Sequence, residues 1–440
     1  MKNQFKSHID KNLSFLNNGR LLIAISGGLD SVVLTHFCHQ LQLNIALAHC
    51  NFNLRGNESN DDEAFVLNLA EELDLEVFIE HFDTEIFAKT EKLSTQMAAR
   101  ELRYEWFTHL ATDLDFDYIL TAHHADDNLE TVLINLTRGT GLSGLTGIPE
   151  INGNIIRPLL PFSRDTLETY AKDNSLKWQE DSSNASDKYL RNRMRHHVIP
   201  ALKKTSPELL QNVNKTINNL KDTADIVEES LRAVAKRAIV DIDGDKIVFD
   251  VMPFIKANNP KAYLFEMFRE YGFTAWDDIV DLLDAQPGKQ ILSDGYRLVK
   301  DRGHIILTKR SYAEENIQHK SIDIESAALE IETPIGHLLF KDVDHISEEK
   351  NNIIFVDKAI LKFPLKFRPW QKGDAFYPLG MAGKKKLSKY FKDEKLSLVD
   401  KEQAYVLVSE ENIIWVVGMR ADDRFKVTPK TTDILRIALK

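Results

Sequence analysis

Two cysteines, Cys38 and Cys50, are all that 440 residues contain. That scarcity excludes a disulfide-built scaffold and any Cys-rich metal cluster. No stretch approaches the ~20 apolar residues of a membrane-spanning helix, and the opening MKNQFKSHIDKNLSF has no apolar centre such as a secretion signal carries. Positive excess is missing too: 56 Lys+Arg stand against 67 Asp+Glu, a net charge of −11. A uniformly basic coat is thereby excluded, so any polyanion would have to meet local basic patches. Hydrophobic residues at 43% suffice for ordinary cores, and the length implies about two or three domains at roughly 150 residues each. The expectation is a cytoplasmic protein with no membrane association.

From Gly19 to Thr121, short apolar runs alternate with amphipathic ones. Leu21–Ile25, Ile45–His49, Glu76–Ile79 and Tyr118–Leu120 read as strands buried on both faces, and Ser31–Leu41, Asp61–Leu73 and Gln96–Leu110 as the helices between them. Such alternation predicts an α/β fold, a parallel sheet with helices on both faces. Ligands on such sheets sit at the carboxyl ends of the strands. Leu210, Val213, Ile217, Leu220, Ala224, Val227, Leu231 and Val234 then repeat at spacings of three and four, predicting a long helix. A strand pair turning at Asp301-Arg302-Gly303 follows, and the last hundred residues are strand-like. The expected division is a catalytic domain at 1–205, a mainly helical middle domain at 206–311, a linker with entry strands at 312–345, and a small β-rich domain at 346–440.

The first strand runs into Ser26-Gly27-Gly28-Leu29-Asp30-Ser31 and then a helix. Two glycines let the backbone turn tightly against an anion, and the helix start adds free N–H groups and a positive dipole end. Ser26 and Ser31 offer hydroxyl donors. Asp30 fits a phosphate site only if a cation joins them, which implies Mg²⁺. The lysine of the common GxxxxGK[ST] loop is absent. The run resembles the SGGxDS loop of the PP-loop ATP pyrophosphatases, which cleave ATP between the α and β phosphates and adenylate a substrate. That group includes GMP, NAD and asparagine synthetases, tRNA thiolases and lysidine synthetases.

Further motifs narrow the choice: His49-Cys50-Asn51-Phe52-Asn53-Leu54-Arg55-Gly56 with Ser59, Asp61 and Asp62; Arg100 and Arg103-Tyr104; His123-His124-Ala125-Asp126-Asp127 with Glu130-Thr131; and the glycine-rich Gly139–Gly147. In this order the series closely resembles the bacterial tRNA(Ile)-lysidine synthetases, strongly over the first 200 residues and again near Arg368–Lys389. The resemblance implies ATP and Mg²⁺, an isoleucine tRNA with a CAU anticodon, and free L-lysine. ATP adenylates the wobble cytidine at carbon 2, and the lysine ε-amine then displaces AMP. It implies nucleotide contacts from Ser26, Gly27, Gly28, Leu29, Asp30, Ser31, His49 and His123, metal held by Asp30 and Asp127, and catalysis by Asp30, Asp127, Glu130 and Arg103. A homodimer is compatible with the sequence.

The chemistry is coherent without the family. Asp127 and Glu130 share one helix face and could hold a metal or bind an ammonium. Keeping a lysine amine neutral at pH 7 costs about 5 kcal/mol, so a carboxylate that binds it must also take its proton. Glu130 has a plainer reading, an acidic first turn matching the helix dipole. His123 and His124 lack metal-site spacing and are expected to line the nucleotide or base pocket. The four glycines of 139–147 suggest close backbone approach to a ligand. A thiolase would be expected to carry a CxxC pair or a placed catalytic cysteine, neither of which is evident. Two further classes compete with these: a small-molecule synthetase of the amidotransferase type, and a catalytically inert RNA-binding module. For RNA, Lys188 to His197 is basic, with Arg191, Asn192 and Arg195 on neighbouring helical turns, and Arg368, Lys384, Lys385, Lys386 and Lys389 form a second patch among aromatics.

Overall fold

The computed structural model describes residues 1–180, 190–310, 321–326, 328–347, 350–381 and 383–440. Its chain divides into two compact units, Met1–Val227 and Glu228–Lys440. In the first, β1 (Arg20–Ala24), β2 (Asn44–Asn51), β3 (Val77–His81), β4 (Tyr118–Leu120), β5 (Ile151–Asn152) and β6 (Ile155–Ile156) form one sheet in the order β3-β2-β1-β4-β6-β5. All neighbours pair in parallel except β5 with β6. The helices in chain order are α1 (Lys2–Asn12), α2 (Leu29–Gln40), α3 (Asn57–Glu72), α4 (Thr84–Thr90), α5 (Thr95–Asp113), α6 (Ala125–Arg138), α7 (Leu142–Leu145), α8 (Arg164–Asp173), α9 (Leu190–Arg193), α10 (Ile199–Thr205) and α11 (Leu209–Ala238).

Successive strand residues face opposite sides of a sheet, and β1 is apolar on both. Leu21 and Ile23 pack with Phe5, Val33 and Phe37, whereas Leu22 packs with Phe107, Ala111 and Ile119 on the far side. All three strand residues are fully buried, each contributing about 1.5–3 kcal/mol. The chain leaves β1 for β2 and β3 on one side, then crosses back to β4 on the other. At such a reversal the connections after the two central strands diverge and leave a crevice. The phosphate loop follows β1 and the His123-His124 segment follows β4, so both motifs open on it.

The expected long helix is α11. Of its eight-residue stripe, Ile217 and Val234 are buried and Val227 is exposed. The second unit departs from a mainly helical middle. Helices Met252–Ile255, Pro260–Phe268 and Trp276–Asp281 share a core with an antiparallel sheet of five strands, ordered Ile239–Asp243, Lys246–Asp250, His304–Lys309, Tyr296–Asp301, Gln290–Leu292. The expected pair is there, turning at Arg302 with a φ of 49°. The remainder is β-rich, as the sequence suggests. Its strands Ile322–Ile324, Glu330–Thr333 and Gly336–Val343 belong to the two larger C-terminal sheets. Parts of the expected linker, 312–320 and 327, lie outside the described residues.

Candidate active site

A cleft of about 1350 Å³ opens where β1, β2 and β4 end. Ser26, Gly28, Leu29, Asp30, Ser31, His49, Arg103, His123, Asp127, Arg191 and Arg195 line it. The structure thus gathers residues from five separated motifs, but two expected members, Gly27 and Glu130, are not among the lining residues.

The phosphate loop is fastened from within. Ser31 Oγ donates to the Gly28 carbonyl (2.9 Å) and accepts from the Ser26 N–H (3.2 Å), while Ser26 Oγ accepts from the Gly28 N–H (3.3 Å). The two hydroxyls lie 3.2 Å apart. Rather than facing an anion as free donors, the serines hold the turn. Gly27 has a φ of 84°, a conformation that a side chain would strain, and its carbonyl accepts from the Gln179 N–H at 2.9 Å. No side chain caps α2, which leaves its first N–H groups and positive dipole end for an anion.

His49 is buried and donates from Nδ1 to the Ile25 carbonyl at 3.0 Å, joining the ends of β2 and β1. Burial lowers its pKa, so the ring is neutral and Nε2 is an acceptor. His123 Nδ1 lies 3.0 Å from Thr121 Oγ1. Burial, reinforced by Arg157, Arg191 and Arg100 against Asp127, pushes its pKa down to about 4.

The hub is His124, which nothing in the sequence distinguishes from His123. Nδ1 accepts the Asp127 N–H (3.3 Å) and the Asp127 carboxylate accepts the His124 N–H (3.1 Å), a reciprocal cap at the start of α6. Its Nε2 then lies 3.5 Å from Asp30 Oδ2 and 3.4 Å from Asp127 Oδ2. Burial opposes charge on this ring, but Asp127, Asp30 and Asp126 outweigh it and raise its pKa. The cap needs Nδ1 bare, so in this arrangement the ring is the neutral tautomer with its single proton on Nε2, facing Asp30 and Asp127. Asp127 is held below the usual carboxylate range: burial pushes it up, but His124, His123 and Arg191 pull it further down. Among the described residues, Asp30 Oδ1 is buried without a hydrogen-bond partner. Among the described residues no three His, Cys, Asp or Glu side chains are grouped to hold a metal ion.

Glu130 is 1% exposed, and both its oxygens are taken. Arg195 donates from Nε (2.6 Å) and a terminal nitrogen (3.0 Å), and Arg191 from Nε (2.9 Å). The same Arg195 nitrogen reaches Asp127 Oδ1 at 3.2 Å. The sequence suggests Arg191, Asn192 and Arg195 for RNA; the structure turns both guanidiniums to carboxylates, because buried negative charge requires a counter-charge. A signal was available: positive charges four apart can oppose carboxylates three apart when two helical segments meet. Asn192 is half-buried between them, and Lys188 and Tyr189 lie outside the described residues. Arg103 stands 5.1 Å over the Phe52 ring.

Two of the four glycines at 139–147, Gly144 and Gly147, serve internal packing, whereas Gly139 and Gly141 face open space. A Cβ on Gly144 would come within 2.0 Å of Thr140 Oγ1, and one on Gly147 within 2.1 Å of Asn128 Oδ1. That same Asn128 oxygen accepts the Ile148 N–H at 2.7 Å. Burial pushes both cysteine thiols up to about 12, so neither is a thiolate nucleophile near neutral pH.

In the second unit, Arg368 makes a two-pronged pair with Asp374 (2.8 and 2.9 Å). Lys385 pairs with Asp393 at 2.8 Å and lies 5.6 Å over the Tyr390 ring. Lys384, Lys386 and Lys389 are exposed.

Three family models match the chain: a PP-loop domain over residues 1–202, a TilS substrate binding domain over 242–310 and a TilS substrate C-terminal domain over 365–438. A tRNA(Ile)-lysidine synthase of Parabacteroides distasonis is 37% identical, with 99% of each chain covered. One from Bacteroides thetaiotaomicron is also 37% identical, with 97% of each covered. Among solved structures, the U34-tRNA thiolase NcsA of Methanococcus maripaludis aligns with a TM-score of 0.42 at 20% identity, over 50% of this chain and 78% of that one.

Proposed function

The chain belongs to the tRNA(Ile)-lysidine synthase family, and from that premise we propose how its cleft forms a carbon–nitrogen bond. ATP and the wobble cytidine of an isoleucine tRNA with a CAU anticodon occupy the cleft together. The oxygen on carbon 2 of the base attacks the α-phosphorus, and pyrophosphate leaves. The ε-amine of free L-lysine then attacks carbon 2, and AMP departs with the former base oxygen.

The observation that carries this reading is the meeting, at one crevice, of an uncapped helix start and the Asp30–His124–Asp127 bridge. The first N–H groups of α2 receive phosphate oxygens, a role that needs no lysine. The buried, unpartnered oxygen of Asp30, beside a second carboxylate, fits Mg²⁺. Asp30 and Asp127 would hold the ion, which when bound would neutralise phosphate charge. Asp127 lines the cleft as a carboxylate, so it attracts the lysine ammonium, and, held this low, it passes the proton on to solvent rather than keeping it as the amine attacks. Arg103, over Phe52, suits a phosphate or the lysine carboxylate. Glu130 acts through the two arginines it holds.

The exposed lysines of the C-terminal unit supply phosphate contacts. Lys385 is already engaged by Asp393, so within the Lys384–Lys386 run the contacts fall to Lys384 and Lys386. Changing Lys384 and Lys386 to Ala should flatten the log–log salt dependence of tRNA affinity by about 1.4–1.8 units, and Lys385→Ala should leave it nearly unaltered. A salt series with each variant measures this; equal slopes for all would remove the patch from RNA binding.

The reading as a whole is tested by pyrophosphate release with and without unmodified isoleucine tRNA, together with labelled lysine. Release that requires the tRNA and label that enters the RNA are expected. Release without RNA would favour a small-molecule synthetase, and no ATP turnover would favour an inert RNA-binding module.

A further inference from the structure

Arg195 stands on an unusual piece of backbone, and the sequence explains it. Pro200 has no N–H, and its ring crowds the carbonyl four residues earlier, that of His196. Met194–Val198 accordingly forms a π turn between α9 and α10, in which the Ile199 N–H reaches back five residues to the Met194 carbonyl. Wide turns of this kind change the direction of the side chains on either side. Arg191 before it and Arg195 within it converge on the same buried carboxylate, Glu130.

Beyond the turn, the segment is tied down a second time. Lys203 Nζ lies 2.6 Å from Asp126 Oδ1 and 3.0 Å from Asp165 Oδ2. Asp126 is 7% exposed, and its other oxygen accepts the Arg164 N–H at the start of α8, at 2.8 Å. Lys203 therefore staples the segment to both α6 and α8. Asp126 and Asp127 are adjacent, but Asp127 lines the cleft and Asp126 does not. The staple and Arg195 thus grip the same turn of α6 from two sides.

We infer that Lys203 and Asp126 are positioning residues for the reaction: with the π turn imposed by Pro200, they fix where Arg195 meets Asp127 and Glu130. Neither lines the cleft; Lys203 acts through Arg195, and Asp126 is the group that holds Lys203. The staple is more than a surface ion pair, since the Asp126 side chain is only 10% exposed and the Lys203 side chain 28%. The inference rests on the proposed function for what Arg195 serves.

A double-mutant cycle in the full chain tests it, read on lysidine and on pyrophosphate. Lys203→Met, similar in length but uncharged, should lower kcat/KM for lysine about tenfold, and Arg195→Ala about a hundredfold. The double variant should be no worse than Arg195→Ala within about twofold, because a staple that works only through Arg195 has nothing left to position. Lys203→Arg should recover to within about threefold of the parent. Pro200→Ala is the second variant. Returning an N–H and removing the ring should leave thermal stability equal or higher, yet lower kcat/KM for lysine several-fold. Support of the fold alone would not give that opposite movement. The inference is overturned if the cycle is multiplicative, about a thousandfold for the double variant, or if both Lys203→Met and Pro200→Ala act like the parent. A parent that released pyrophosphate but never made lysidine would sink the functional reading instead, with the cycle still legible in pyrophosphate.

Discussion

Asp30→Ala should lower tRNA-dependent pyrophosphate release by about 10³-fold or more, equivalent to ~4 kcal/mol in the barrier, while tRNA affinity stays within about twofold. Asp30 sits in the first turn of α2, where the helix end favours anions and a carboxylate repels them. If no cation were involved, removing this carboxylate would improve ATP binding. If Asp30 holds Mg²⁺, the variant instead loses its dependence on Mg²⁺ together with its turnover. The two cases move ATP affinity in opposite directions, so a Mg²⁺ titration of ATP binding and turnover separates them. A near-parent rate of pyrophosphate release would show that the loop has been misassigned.

Glu130→Gln should lower kcat/KM for lysine about a hundredfold, ~2.7 kcal/mol, with adenylation reduced by less than about tenfold. The amide matches the carboxylate in shape but offers one acceptor oxygen where three guanidinium N–H groups converge. Its NH₂ would face one of those donors. Arg191 and Arg195 then lose their anchor beside Asp127. Stability should fall as well. Breaking a fully buried ion pair costs about 3–5 kcal/mol, but these arginine side chains are 44% and 31% exposed, which reduces the loss to about 1–2 kcal/mol. Single-turnover measurement of adenylate formation and decay, with lysine varied, separates the half-reactions. An unchanged lysine dependence would leave Glu130 a partner of the two arginines that supports the fold alone.

The parallel sheet was legible because 21–25 and 45–48 are apolar without interruption and the segments between the strands repeat at helical spacing. The phosphate loop was legible because its glycine turn, flanking serines and Asp30 are adjacent in sequence. The partners of Arg191 and Arg195 were not, since four basic residues near one another look alike whether they face water, RNA or a carboxylate. Only the crossing of α6 by residues 190–198 decides between those. Glu130 was harder still, because an acidic residue near the start of a helix gives no sign that it is buried. The missed strands of the middle sheet have a different cause. Ile239–Asp243 is almost wholly exposed beyond its first residue, so it lacks the alternation of a half-buried strand. The Asp243-Gly244 step at its hairpin was the available signal.

The start of α6 also limits how this stretch can vary in length. His124 faces Asp30, Asp126 holds Lys203 and the start of α8, Asn128 receives the Ile148 N–H, and Glu130 receives both arginines. These obligations point in different directions around a single turn and a half. One residue inserted after Asp127 would rotate everything beyond it by about 100° and advance it by about 1.5 Å. Asp127 would keep its place beside His124, while Asn128 and Glu130 swung off their partners together. Substitutions here can be weighed singly, but an insertion or deletion cannot, because it breaks all the later contacts at once. Length change over 124–131 should therefore be confined to descendants that have given up the reaction.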